Sequence, residues 1–227
     1  ANTPELTGWG TININGSLTL IPAMTYTHWG QIKFLSGTAG NTITTAGHTL
    51  NNVYFEGSGE YTLQDALELQ GWLYFNNGTL YTNNFNINLT NGTFQSNTSN
   101  TRVLDLGSST ITTDTWEVSD STNFTFNPGT SHILYTSMGW QFNGGGLTYN
   151  DVTILPIFWG GPLNFYGSST FNNLNLEPGL ILWLDTGTTQ TVNRLNATGT
   201  FSDYITLQTT FPGFTAEINQ VIPYFCG

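Results

Sequence analysis

A six-residue phrase that recurs at a fixed interval constrains the fold of this chain more than any other feature. It reads aromatic, Asn, Asn or Asp, aliphatic, polar, aliphatic at residues 149–154 and again at 171–176, so its two starts lie 22 residues apart. A period of this size is typical of a solenoid, in which each coil buries its apolar face only against the next coil. A looser third copy at residues 50–55, Leu-Asn-Asn-Val-Tyr-Phe, extends the pattern over most of the chain.

Glycine-led turns divide the sequence into short alternating runs. Gly-Ser-Ser-Thr occurs at 107–110 and 167–170, and related turns occur at 129–132 and 187–190. Glycine supplies the positive φ that a coil corner needs, and the β-branched residue that follows suits the start of a strand. The one segment with helical spacing, 61–70, lacks a clear cap and is predicted to form strands around a bend.

These patterns predict an all-β chain that forms a single parallel β-helix, or β-solenoid, with coils of about 20–22 residues. An antiparallel sandwich is the alternative, and the fixed 22-residue register disfavours it. Residues 1–227 are expected to form one domain, with 1–36 as an N-terminal cap region and 219–227 as an apolar C-terminal cap or interface tail. That tail predicts self-association, or a place in a larger assembly, through Val221, Ile222, Tyr224 and Phe225.

The composition indicates a neutral, polar surface. Only 7% of the residues are charged, against roughly 25% in an ordinary soluble domain. The 14 acidic and 3 basic residues give a net charge of −11, which argues against nucleic acids and anionic membranes as partners. No apolar run approaches the about 18 residues of a membrane span. The single cysteine, Cys226, has no partner for an internal disulfide, and because the chain starts at Ala1 we expect a processed or excised piece of a longer protein.

Three phrases, at 142–150, 167–174 and 187–200, resemble repeat modules of bacterial surface proteins and phage virion proteins. The resemblance covers roughly residues 40 to 218. It implies a parallel β-helix used for display, adhesion or the structure of a tail or capsid surface, and so a location outside the cell or on a virus particle. The motifs are structural, and therefore the resemblance carries over no catalytic residue.

Candidate catalytic and metal-binding groups are sparse. Carboxylates on neighbouring coils could run glycoside hydrolysis, as in a tailspike-like polysaccharide depolymerase, which is the alternative function. The candidates are Glu56 with Glu60, Asp65 with Glu68, and Asp114 with Glu117 and Asp120. Residues 114–120 could also hold Ca²⁺ if they curled into one loop. The three histidines lack metal-ligand spacing, so the sequence predicts no enzyme, no metal site and no cofactor.

Tryptophan is the residue type that most favours a binding function. Flat aromatic rings beside amide and carboxylate groups are suited to stacking on sugars. Trp72 and Trp183 lie in apolar runs and are interpreted as core or coil-stacking residues, whereas the four tryptophans beside Gly or Thr are the candidate glycan-binding residues: Trp9, Trp29, Trp140 and Trp159. The sequence thus predicts a non-enzymatic structural or adhesive module that binds glycans.

Overall fold

The chain folds into a stack of parallel β-coils. A computed structural model describes residues 3–89, 91–136 and 138–221. Within these residues the structure is all-β, contains no helix and winds through about nine turns of a β-solenoid. The predicted fold class is therefore confirmed.

Three parallel sheets form the walls of the solenoid. Sheet 1 has ten strands: β2 (Ile12–Ile14), β5 (Ile32–Phe34), β7 (Val53–Phe55), β10 (Leu73–Phe75), β13 (Thr93–Gln95), β16 (Thr115–Glu117), β19 (Gln141–Asn143), β21 (Leu163–Tyr166), β23 (Ile181–Leu184) and β25 (Thr206–Thr209). Sheet 2 has six: β3 (Leu18–Thr19), β6 (Asn41–Thr44), β8 (Glu60–Leu63), β11 (Gly78–Tyr81), β14 (Arg102–Asp105) and β17 (Phe124–Asn127).

Sheet 3 has eight strands: β9 (Leu67–Leu69), β12 (Ile87–Leu89), β15 (Thr110–Thr113), β18 (His132–Tyr135), β20 (Thr148–Ile154), β22 (Thr170–Leu176), β24 (Thr189–Ala197) and β26 (Glu217–Gln220). At the N-terminal end, β1 (Glu5–Gly8) and β4 (Thr25–His28) form a separate two-stranded parallel sheet. Segment 61–70 forms β8 and β9, so the prediction of strands is confirmed.

The two copies of the repeated phrase lie on neighbouring strands of sheet 3 and pair in register. Tyr149 pairs with Phe171, and Val152 pairs with Leu174. Between its two buried residues each phrase places two outward polar residues, such as Asn172 and Asn173, so the strand bends there. The next strand continues the column, because Val192 pairs with Phe171.

The third copy of the phrase does not share this register. Leu50 forms an isolated bridge with Leu69 on the side of sheet 3, whereas Val53–Phe55 is strand β7 of sheet 1. The copy at 50–55 therefore turns a corner instead of running along one sheet. Its similarity reflects the shared need for two outward polar residues between buried ones.

The glycine-led turns all lead into sheet 3. Gly107, Gly129, Gly167 and Gly187 have φ values of 51°, 55°, 76° and 76°. Each precedes a strand of sheet 3, namely β15, β18, β22 and β24. The interpretation of these glycines as coil corners is confirmed by their positive φ values, which glycine adopts without the steric cost of a Cβ atom.

Aromatic rings aligned from coil to coil fill the interior beside sheet 1. Phe94 and Trp116 stack with ring centroids 4.1 Å apart, and Phe142 and Phe165 stack at 4.8 Å. Trp116 donates a hydrogen bond of 2.9 Å from its indole nitrogen to the hydroxyl of Tyr149. Large aromatic side chains contribute most of the buried apolar area of such a core.

Arg102 is a fully buried cation that joins the corners of successive coils. Its side chain is 0% exposed, and its guanidinium carbon lies 4.6 Å from the centre of the Phe124 ring. Its donors reach five oxygens at 2.7–3.2 Å: the carbonyls of Ser96, Asn100, Asp120 and Thr122 and the hydroxyl of Ser96. All five guanidinium N–H groups are thus used, which only arginine can do.

We predict that Arg102→Met destabilises the solenoid by about 3–5 kcal/mol, because it leaves buried carbonyls without donors. The matched control is Lys33→Met, since Lys33 is a half-buried cation paired to Glu56 at 3.1 Å. Such partly solvated pairs contribute at most about 1 kcal/mol. Urea unfolding followed by tryptophan fluorescence measures both, and equal losses in the two variants would contradict the role of Arg102.

Candidate functional site

The outer face of sheet 1 carries an aromatic platform. Tyr54 and Tyr74 are register partners, and their rings stack 4.2 Å apart at 10°. Trp72 packs against Tyr74 with centroids 5.4 Å apart. On the neighbouring coil the ammonium of Lys33 lies 4.9 Å over the Tyr54 ring and pairs with Glu56. The platform therefore crosses three successive coils.

A depression adjoins this platform on the same face. Trp72 and Trp140 stand at its two ends and are 42% and 61% exposed. Its volume is about 330 Å³, and its floor consists of outward polar side chains: Thr93, Gln95, Thr115, Glu117 and Gln141. Trp72 directly precedes β10 and Trp140 directly precedes β19, three strands further along sheet 1. Three coil steps of about 4.8 Å, or about 14 Å in all, separate them. We call this feature the sheet 1 depression.

Glu117 is the carboxylate of the sheet 1 depression. The amide of Gln141 donates to one of its oxygens, and the amide of Asn143 donates to the other at 3.5 Å. Burial raises the pKa of Glu117, and the donated hydrogen bonds oppose that rise in part. Glu117 therefore presents an oriented acceptor between two tryptophan rings.

Trp9 and Trp29 form a second aromatic feature at the N-terminal end. Their rings stack with centroids 6.2 Å apart at 24°, and Trp9 is 80% exposed. Each is followed by Gly, one further residue and the first Ile of a sheet 1 strand, so Trp-Gly-x-Ile recurs 20 residues later. That short repeat is the sequence signal from which the stacked pair could have been predicted.

Trp159 lies on the loop between β20 and β21. It is 69% exposed and meets Phe158 edge to face at 5.0 Å. The same loop passes beside Trp140, since a Cβ on Gly161 would lie 3.8 Å from the Trp140 ring. The four predicted tryptophans are thus all exposed. Trp9 and Trp29 form a pair at the N-terminal end. Trp140 lines the sheet 1 depression, and the loop that carries Trp159 passes beside it.

The interpretation of Trp72 and Trp183 as core residues is wrong. Trp183 is only partly buried and alternates with the buried Leu182 and Leu184. Leu73 and Phe75 point inward and are fully buried, so the alternation of the strand places Trp72 and Tyr74 on the outer face. Trp116 is the fully buried tryptophan. Strict alternation along residues 72–75 would have predicted that Trp72 faces outward, but the apolar residues beside it made the whole run resemble core.

Three of the other candidate acids hold turns and corners, whereas Glu60 and Glu68 lie in strands β8 and β9 and Glu56 pairs with Lys33. Asp65 accepts hydrogen bonds from the backbone amides of Thr45 and Ala46. Asp114 is buried and accepts from Thr136, and Asp120 accepts from the amide of Thr122 at 2.8 Å. Within residues 3–89, 91–136 and 138–221, no three His, Cys, Asp or Glu side chains gather to hold a metal ion.

Comparison with protein families, with characterised proteins and with solved structures found no match to this chain. In the described part of the chain no helix is long and apolar enough to cross a membrane.

We predict that lowering the pH stabilises the wild-type chain relative to Glu117→Gln. Because burial raises the pKa of Glu117, the folded state binds its proton more readily than the unfolded state does. The unfolding free energy then falls as pH rises through the range between the two pKa values. Urea unfolding of both chains at neutral and mildly acidic pH measures the difference, and parallel pH profiles would contradict the prediction.

Proposed function

We propose that this chain is a non-enzymatic structural and adhesive module, displayed on a bacterial surface or a virus particle, that binds glycans on the outer face of sheet 1. The observation that carries the proposal is the sheet 1 depression, where Trp72 and Trp140 flank a polar floor. Rings at both ends can stack on the apolar faces of sugars. Amides and the Glu117 carboxylate between them can pair with sugar hydroxyls.

The rigid scaffold favours this use. Each strand of sheet 1 pairs with its neighbours in register, so the rings and amides of the depression are held in place before a ligand arrives. Pre-organised groups lose little conformational freedom on binding, and the affinity gains accordingly. The length of the depression suits a segment of a few sugar residues along the solenoid axis.

The low charge of the residues that line the sheet 1 depression favours a neutral glycan as the ligand. Glu117 is the one charged side chain among the residues that line the depression. A polyanionic chain would meet this carboxylate and the overall charge of −11. Neutral hydroxyl-rich chains meet no such repulsion.

A tailspike-like depolymerase is the second candidate, and Glu117 is the observation that favours it. A carboxyl with a raised pKa beside a sugar platform is suited to act as a general acid. Glycoside hydrolysis, however, ordinarily uses a pair of carboxyl groups, and Glu117 is the one acid among the lining residues. The proposal therefore places binding without cleavage first.

We predict that Trp72→Ala and Trp140→Ala each weaken glycan binding about tenfold, which is about 1.4 kcal/mol, because each removes a stacking surface. Affinity gel electrophoresis with a panel of neutral bacterial and algal polysaccharides measures the effect. Tyr81→Ala is the control, since Tyr81 lies on the outer face of sheet 2.

Assays of reducing ends and of unsaturated products on the same samples separate the two candidates. The proposal expects retarded migration without new ends. Cleavage that Glu117→Gln abolishes would establish the depolymerase instead, and retardation unchanged in both tryptophan variants would refute the sheet 1 depression as the binding site.

We also propose that the C-terminal end of the solenoid associates with a second copy of the chain. In the described residues β25 and β26 are edge strands, and unpaired edges readily accept another strand. Exposed aromatic side chains surround this end: Phe201, Tyr204, Phe211 and Phe214. Val221 is 54% exposed there, whereas Ile222, Tyr224 and Phe225 lie outside the described residues.

We predict a dimer or larger species in sedimentation velocity at micromolar concentration. Replacing Phe211 and Phe214 together by Ser should shift it toward monomer, because the change removes apolar area from the end surface. A wild-type chain that sediments as a monomer at these concentrations would refute the proposal.

A further inference from the structure

Sheet 3 is interrupted at its N-terminal end. Strand β4 pairs with β1, and on the other side Leu50 makes an isolated bridge to Leu69 of β9. Between β4 and residues 47–51 side chains take the place of a regular ladder. The amide of Asn51 donates to the carbonyl of Trp29, and Nε2 of His48 lies 3.0 Å from the carbonyl of Ile21. We call this place the sheet 3 break.

A cavity of about 250 Å³ occupies the sheet 3 break. Strand β4 supplies Tyr26 and His28 to its lining, Trp29 follows directly after the strand, and the opposite side supplies His48 and Gln70. The Tyr26 and His48 rings stack 5.5 Å apart at 29°. Among the lining residues there is no Asp, Glu, Lys or Arg.

His28, which lines this cavity, has a ring nitrogen that makes no hydrogen bond within the described residues. It is only 4% exposed, and its Nε2 lies 2.8 Å from the carbonyl of Gly10. A carbonyl only accepts, so Nε2 carries the hydrogen and Nδ1 keeps its lone pair in the neutral ring. Nδ1 is buried and has no hydrogen-bond partner among the described residues.

Tyr26, which lines the same cavity, has a hydroxyl that is also unpaired within the described residues. Its oxygen is also buried without a partner among the described residues. A tyrosine hydroxyl is protonated at neutral pH and so remains a donor, and burial raises the pKa of Tyr26 further, to about 12. Buried polar groups in folded proteins are nearly always paired, and two such groups on one wall of one cavity point to a ligand.

The chemistry of the lining selects the ligand class. Without a charged side chain the cavity offers an ion no counter-charge, so a charged ligand would lose its hydration uncompensated. A hydroxyl can donate to Nδ1 of His28, and a second can accept from Tyr26. The half-exposed ring of Trp29 can cover an apolar face of the same molecule.

We propose that the sheet 3 break binds one small uncharged polyhydroxy ligand, of the size of a single sugar residue, with a ligand hydroxyl donating to Nδ1 of His28. This site shares no lining residue with the sheet 1 depression. Ligand binding at the sheet 3 break can therefore be tested independently of glycan binding on sheet 1.

The test titrates ¹⁵N-labelled full-length chain with glycerol, inositol, glucose, galactose and N-acetylglucosamine, and follows the histidine imidazole signals. His132 is an internal control, because it lies on the outer face of sheet 3 and bonds Thr153 at 2.9 Å. We expect a saturable shift of the His28 signals with at least one probe and no shift at His132.

Two variants test the assigned atoms by ligand-observed saturation-transfer NMR. Tyr26→Phe removes only the unused hydroxyl, and His28→Gln retains a donor for Gly10 while it removes the Nδ1 acceptor. Each should weaken binding about tenfold. Tyr81→Phe is the matched control that removes a hydroxyl from sheet 2, and it should leave binding unchanged.

Three outcomes would overturn the proposal. Absence of a saturable shift with every probe would mean that water alone satisfies His28 and Tyr26. Unchanged binding in Tyr26→Phe would show that the ligand binds elsewhere. Because Tyr26→Phe retains the aromatic ring, it still tests the site if His28→Gln does not fold. Equal weakening by Tyr81→Phe would show an unspecific effect.

Discussion

Alignment of buried side chains from coil to coil is the constraint on which the rest of this structure depends. In sheet 1 Phe94, Trp116, Phe142 and Phe165 are successive partners in one inward column. No coil can bury these rings by itself, so each depends on its neighbours. Partners lie 22 residues apart at Phe94 and Trp116 but 26 apart at Trp116 and Phe142. Because the column stays aligned, the additional residues must lie in the loops between the strands. Trp140 belongs to this enlarged coil, which runs from Trp116 to Phe142.

The same alignment explains how the chain has so few charges. Polar side chains on the outer face of sheet 3 bond to their equivalents on the next coil, as Asn172 does to Asn150 at 3.2 Å and Asn175 does to Thr153 at 3.1 Å. Each amide is both a donor and an acceptor, so one residue type can continue such a column without the repulsion that stacked like charges would cause. A sparsely charged outer surface is therefore a consequence of stacking, and it leaves exposed aromatic rings as the features that distinguish one face from another.

The sequence predicts those parts of the structure that repeat. The pairing of 149–154 with 171–176 and the glycine corners before sheet 3 follow directly from residue patterns. Features made by residues distant in sequence do not. Arg102 bonds four carbonyls from two loops, and the sheet 1 depression depends on which strands are three coils apart. The copy at 50–55 misleads because a bend in a strand and a corner between sheets place polar residues outward in the same way.

Departures from the repeat are where this fold can acquire binding chemistry. Along a regular sheet every backbone group is paired and many outer side chains meet their equivalents on the next coil, so fewer groups remain free to bind a ligand. At the sheet 3 break the ladder is replaced by side chains, and His28 and Tyr26 retain unused polar atoms. In the enlarged coil Trp140 projects beside the floor of the depression. A protein with identical coils would stack as well, but it would have neither the separated rings of Trp72 and Trp140 nor the unpaired Nδ1 of His28. The residues that interrupt the repeat are therefore those in which the function of this chain should be sought.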